Sequence, residues 1–238
     1  MLTLAIETSN PSALAPGHNR DRALGIGPGV AIGEDATALD HEAVGNTERH
    51  GDDLMPAIDR LCARNNIAPR GIERIAVSVG PGGFTGLRIA TVTAKLLAEV
   101  TGAAVHAVPS WLSARHGCDI DLGPGPIAVC LASKRTAAWV VLTPDTDAGL
   151  DDSQTLGTVE VDAIEDAKPR ALIGDRFLPE TFRAWADANS APVLSPRFSA
   201  AAVWAWADRV PAVDPLQLSP LYAREPEAVT RWREQRGG

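Results

Sequence analysis

The sequence predicts an α/β fold, and three observations carry that prediction. Short apolar runs of β-forming residues alternate with helical stretches through the first half, the pattern of a sheet covered by helices. One run, residues 75–79, passes through a glycine-rich turn directly into a long helix over residues 87–100. The second half opens with two more apolar runs, residues 127–131 and 137–142, separated by Ser133-Lys134-Arg135 as in a hairpin.

The chain is read in order from there. Residues 2–6 make a short apolar strand ending in Glu7-Thr8-Ser9. Residues 10–29, rich in Gly, Pro, Asn and Arg and without periodicity, read as a loop, and residues 30–33 resume a strand. Ala43-Val44 matches a third strand only weakly. A helix is predicted over residues 50–65, with Leu54, Ile58, Leu61 and Cys62 on one face. Asp52 and Asp53 fall in its first turn, where the helix dipole favours acids.

The central unit, residues 73–101, organises the rest. Gly80, Gly82 and Gly83 with Pro81 force a sharp turn, Thr85 is placed as N-cap and Gly102 as the helix stop. Two readings of the turn stay open. A strand, a glycine loop and a helix N-terminus can cradle an anion with free amides. The same glycines can instead let the helix pack close to the sheet. The loop is not a Walker motif, because no Lys follows Gly86, and it runs GxGxxxG rather than GxGxxG.

The helix that follows is too apolar for an ordinary surface helix. Arg88, Thr91, Lys95 and Glu99 share one narrow strip, and apolar or small residues take the rest, roughly two-thirds of the circumference. One apolar flank is large (Ile89, Val92, Leu96) and the other small (Leu87, Ala94, Ala98). One flank must cover the sheet, and the other is expected to meet a protein partner. Because small residues permit close helix approach, Ala94 and Ala98 are expected to face outward.

Beyond it, residues 103–108 form a strand and residues 111–115 a helix. Residues 117–126, ending Gly-Pro-Gly-Pro, mark a boundary between an N-terminal half (1–116) and a C-terminal half (127–238). Residues 145–154 are polar and irregular, 171–173 a strand, and 179–188 and 200–206 helices.

Composition narrows the function. The 238 residues carry 22 Lys and Arg against 30 Asp and Glu, a net charge of −8, which disfavours an autonomous nucleic-acid binder. Cys62, Cys118 and Cys130 are widely spaced without a CxxC pair and read as reduced thiols. No apolar run approaches 18 residues and no signal segment is visible, so a cytoplasmic protein without membrane contact is expected. The histidines His18, His41, His50, His106 and His116 form no metal-ligand spacing. His50 reads as a capping or surface residue. Arg88 either holds an anion or pairs with a neighbouring carboxylate. The tail from Tyr222 to Arg236 is barely basic, and Trp232 is expected to anchor it to the body.

The run GPGGFTGLRIA at residues 80–90 resembles the GPGSFTGxRIG signature of the bacterial TsaB (YeaZ) family. The ETS triplet at 7–9, the RHGDDLMPAIDRL helix start and the SPLYAREPEAVTRW tail are similar to that family as well. The resemblance implies a ribonuclease-H-like, actin-like ATPase superfamily fold with two similar halves, in which residues 14–27 are an insertion. It implies a non-catalytic subunit of the machinery that makes threonylcarbamoyladenosine at position 37 of tRNAs reading ANN codons. The metal-bearing transferase TsaD and the ATPase TsaE are its implied partners, with tRNA reached only through the complex. ATP is then used by the assembly, and this chain holds no cofactor or metal and no catalytic residue. Glu7 stands where the superfamily usually has a strand-end Asp, and Ala132 and Ala137 replace two family acids in the hairpin LASKRTAAW.

On this reading the partner face is built from Leu54, Ile58, Leu61, Leu87, Ala90, Ala94, Leu97 and Ala98, and the isolated chain has the option of homodimerising through it. The alternative is a small-molecule kinase or nucleotide hydrolase of the same superfamily, with Thr8, Ser9, Gly82 and Gly83 as phosphate contacts and Arg88 beside them.

Overall fold

The first strand, β1 (Leu2–Glu7), lies at the centre of a six-stranded mixed sheet. It pairs antiparallel with β2 (Gly29–Glu34), which pairs antiparallel with β3 (Thr37–Ala43), and on its other side it runs parallel to β4 (Arg74–Gly80). Beyond β4 lies β5 (Ala104–Pro109), again parallel. Helix α1 (Leu54–Arg64) makes the crossover from β3 to β4, and α2 (Phe84–Thr101) that from β4 to β5. The computed structural model describes residues 1–10, 27–35, 37–44, 53–118, 125–144, 150–224 and 232.

After α3 (Ser110–Arg115) the same strand order is repeated. A meander of β6 (Ile127–Lys134), β7 (Ala137–Thr143) and β8 (Gln154–Val159) is antiparallel, and β6 runs parallel to β9 (Ala171–Gly174). Helix α4 (Glu180–Ala188) returns the chain to a parallel β10 (Val193–Leu194). The order β3-β2-β1-β4-β5 in the first sheet is matched by β8-β7-β6-β9-β10 in the second. Two similar halves on an actin-like α/β plan are thus present in the topology.

The halves are not separate globules. Trp111, Leu112, Phe198, Val203 and Trp206, from α3, the segment before α5 (Ala200–Trp206) and α5 itself, share one core with β1 and β4 residues and with β6, β7 and β9 residues. Two further cores lie on the outer sides, one under α1 and α2 and one under α4. The chain after α5 returns to the first sheet, where β11 (Ala212–Val213) adds antiparallel to β5. Residues 127–238 therefore do not form a self-contained unit.

Several expectations shift. The third strand is a full seven residues, although its sequence TALDHEA is polar, because it forms the sheet edge, where every side chain is at least partly exposed. Arg64 on α1 donates to Asp40 (2.6 Å) and Glu42 (2.7 Å) on β3, and Arg60 donates to Glu42 (3.1 Å), so ion pairs attach this edge to the helix. The Arg64 hydrogen bond holds the Asp40 carboxyl down at about 2. Helix α1 starts at Leu54, and Asp53 sits just before it and pairs with Arg60. Helix α2 starts three residues before the predicted Leu87, with Gly83 rather than Thr85 at the N-cap, and Gly102 closes it in the left-handed conformation. Strand β8 falls partly in a stretch read as irregular. The insertion residues 14–26, His50, Asp52, residues 119–124 of the boundary and 145–149 lie outside the described residues.

Candidate functional site

Two features of the first half are candidates for function, the glycine loop and the outer face of α2. The loop between β4 and α2 is filled by the chain itself. The Gly83 amide donates to the Ser9 carbonyl at 2.5 Å, and the Thr8 hydroxyl donates to the Gly86 carbonyl at 2.9 Å. Asn10 Nδ2 donates to the Pro81 carbonyl at 3.1 Å and to Ser9 Oγ at 2.9 Å. A Cβ on Gly82 would overlap the Ser9 carbonyl oxygen, and one on Gly86 the Thr8 carbonyl oxygen. Of the two readings of the glycines, close packing is the one this geometry supports. The β1 end offers carbonyl oxygens to the loop, and these repel a phosphate rather than hold it. Arg88 lies over the Phe84 ring at 5.4 Å, and Phe84 in turn stacks on Tyr222 at 3.9 Å.

Glu7 ends β1 at the bottom of this arrangement and is 1% exposed. Its Oε1 accepts from the Ser9 amide at 2.7 Å, while Oε2 is buried without a hydrogen-bond partner. Burial pushes its pKa up, against the opposing pull of Ser9, Ser113 and Ser78. Ser78 and Ser110 share a hydrogen bond of 2.8 Å close by. A single carboxyl whose burial disfavours its charged form, ringed by hydroxyls, does not fit a magnesium–nucleotide site, which draws on charged oxygens from several groups. Among the described residues no three His, Cys, Asp or Glu side chains come together as a metal site.

The Glu7 environment predicts a pH dependence. A carboxyl whose folded pKa lies above its unfolded value of about 4.3 costs stability as pH rises from there to the folded pKa. Glu7→Gln keeps the acceptor for the Ser9 amide and removes the ionisation. Its melting temperature should exceed the wild type's at pH 8 and converge on it below about pH 4. Parallel melting curves of the two proteins across this range would contradict the assignment.

The α2 helix turns its faces opposite to the expectation. Leu87, Ala90, Ala94 and Ala98 are buried in the chain's own core, and Thr91, placed in the sequence on the polar strip, is buried with them. The small flank lies on the sheet because Ala side chains let the helix backbone approach β4 and β5. Leu54, Ile58 and Leu61 of α1 are likewise buried beneath that helix. Of the eight residues proposed for a partner face, only Leu97 is partly exposed. The large flank faces solvent, with Val92 54%, Leu96 63% and Val100 66% exposed at i, i+4 and i+8, and Ile89 partly buried one turn earlier. The hydrophobic periodicity showed two apolar flanks. It carried no signal for which of them the sheet covers.

Arg115 is fully buried between the rings of Trp111 (5.2 Å) and Trp206 (5.1 Å), a feature of the core between the sheets that sequence reasoning missed. Trp232 is half exposed, and Tyr222 stacks on Phe84 at the start of α2. The arginines at 231, 233 and 236 lie outside the described residues. Among the described residues no helix is long and apolar enough to cross a membrane.

Comparisons with known proteins follow the same line. The family model for TsaD, tRNA N6-adenosine threonylcarbamoyltransferase, matches residues 45–167, just over half of the chain. An uncharacterised protein of Mycobacterium tuberculosis is 26% identical over 225 residues, covering 94% of this chain and 92% of its own. The tRNA threonylcarbamoyladenosine biosynthesis protein TsaB of Bacillus subtilis is 30% identical over 110 residues, 46% of this chain and 42% of its own. Among solved structures, YeaZ from Pseudomonas aeruginosa superposes with a TM-score of 0.61 at 17% identity, covering 93% of this chain and 99% of that one.

Proposed function

The chain belongs to the TsaB (YeaZ) family of tRNA threonylcarbamoyladenosine biosynthesis, and from that premise we propose that it is the non-catalytic, activating subunit of the threonylcarbamoyl-transferring assembly. Its target is adenosine 37 of tRNAs that read ANN codons. It docks a TsaD-type catalytic subunit, and TsaE and ATP enter through the assembly. The observation that carries the docking is the solvent-facing apolar row Val92, Leu96 and Val100 on α2. Such a row is expensive to leave in water and is flanked by Arg88 and Glu99, a polar rim of the kind that surrounds interface cores. A superfamily relative would offer a related helix, so the contact takes the form of a pseudo-symmetric helix bundle. An isolated chain would cover the same row with a second copy.

The competing reading, a small-molecule kinase or nucleotide hydrolase, loses its phosphate loop to the Ser9 and Thr8 carbonyls and its acids to Ala132 and Ala137. Reconstitution separates the two. The purified chain with tRNA and the activated threonylcarbamoyl intermediate should form no product, while its addition should raise the rate of a TsaD-type subunit many-fold. Product formed by the chain alone would overturn the subunit reading. Its own affinity for tRNA should be weaker than about 1 μM at physiological salt, as its net charge of −8 predicts. A filter-binding measurement checks this, and a tighter constant for the chain alone contradicts it.

A further inference from the structure

The segment from β11 to Arg224 crosses from one half to the other, and it touches both features described above. It starts as an edge strand on β5, and Leu218 then sinks into the core beneath α2. Lys95 of α2 donates to the Leu216 carbonyl at 3.2 Å, and Leu216 itself is 79% exposed. Five residues on, the Leu221 amide donates to the Val79 carbonyl at the end of β4 (2.6 Å), and Tyr222 stacks flat on Phe84 at the start of α2. The next residue reaches the other half, where the Ala223 carbonyl accepts from the Thr158 hydroxyl on β8 at 2.8 Å. Three consecutive residues therefore join the first sheet, the α2 N-terminus and the second sheet.

We propose that residues 212–224 are a strap that locks the two sheets together over the glycine loop and carries Leu216 to the margin of the α2 face, so that the subunit docked on α2 also grips the strap. The docking half of this inference rests on the partner reading above, and the locking half stands without it. Physically, each bond in the strap is ordinary, but their spacing is not. Tyr222 and Ala223 are adjacent, so motion of the second sheet relative to the first must break the Tyr222–Phe84 stack or the Thr158 bond. Lys95 is on the helix that carries the apolar row, next to Leu96, which places the strap's exposed Leu216 within one lysine side chain of the docking surface.

Hydrogen exchange on the full chain tests the lock. Tyr222→Ala should speed amide exchange in residues 79–86 and 154–159 by about tenfold while leaving α1 unchanged. Unchanged exchange in those segments, or a uniform acceleration that includes α1, overturns the lock. Capture by the TsaD-type subunit tests the grip. Leu216→Arg should weaken capture about tenfold without altering exchange in the free chain, alongside Leu96→Arg, which should abolish it. Loss of capture by Leu96→Arg alone overturns the grip and leaves the partner reading standing. Capture that survives both substitutions overturns the partner reading and the grip together, and the exchange result then decides the lock by itself.

Discussion

Ala94→Arg should lower the melting temperature of the protein by roughly 10 °C or more, while Leu96→Arg, two positions further along the same helix, should fold like the wild type. Ala94 is 0% exposed and packed between α2 and the sheet. A guanidinium there is a buried charge without a partner, costing several kcal/mol. At about 2–4 °C per kcal/mol for a chain of this size, the melting temperature falls by roughly 10 °C or more. Leu96 points to solvent, so a charge there meets only water and Tm should move by no more than a degree or two. The consequence of Leu96→Arg lies in binding instead, because an unpaired charge at the centre of a docked apolar row should abolish co-purification with the catalytic subunit. Thermal melts and affinity capture read the two effects separately. If Ala94→Arg melts normally, the burial of the small flank is wrong. If Leu96→Arg still co-purifies, α2 is not the docking face.

Gly86→Ala is the second large effect. Its added methyl would overlap the carbonyl oxygen of Thr8, a main-chain atom at the end of a central strand that cannot swing aside. Gly82→Ala meets the Ser9 carbonyl in the same way. Either substitution must push α2 away from β1, breaking the Thr8–Gly86 and Gly83–Ser9 hydrogen bonds, and should cost about 2–4 kcal/mol. Gly71→Ala is the matched control, since its new methyl touches only the tip of Leu2 at 4.0 Å and should change stability by less than about 0.5 kcal/mol. Chemical denaturation measures all three. Were Gly86→Ala as stable as Gly71→Ala, the loop would not be clamped on the β1 end, and the anion-cradle reading of its glycines would return.

These two experiments bear on the residues where sequence and structure diverge. The resemblance of residues 80–90 to a family signature implied the fold, and the strand, compact glycine turn and helix of residues 73–101 were legible because they are encoded locally. Most strands and helices were legible for the same reason, since apolar runs and periodic faces do not depend on distant partners. Strand β3 was not, because a sheet edge tolerates the polar sequence TALDHEA and its order comes from β2 and the arginines of α1. Strand β11 and the Tyr222 stack were equally hidden, being contacts between residues more than a hundred positions apart.

By itself, then, the chain's order of residues determined an α/β protein in two halves, an acidic surface, a turn too crowded with glycine for regular structure, and a helix with two apolar flanks. Only the tertiary structure decided which flank is the core. Alanines fit against β4 and β5 where Val92, Leu96 and Val100 would hold the helix off the sheet, so the larger side chains are left facing outward. It also decided what the glycines serve, since the space they leave is taken by the carbonyls of Thr8 and Ser9, brought there by the pairing of β1 with β4. Periodicity records that a side must be buried. Which side is set by the shape of what lies opposite, and that surface comes from parts of the chain far away in sequence.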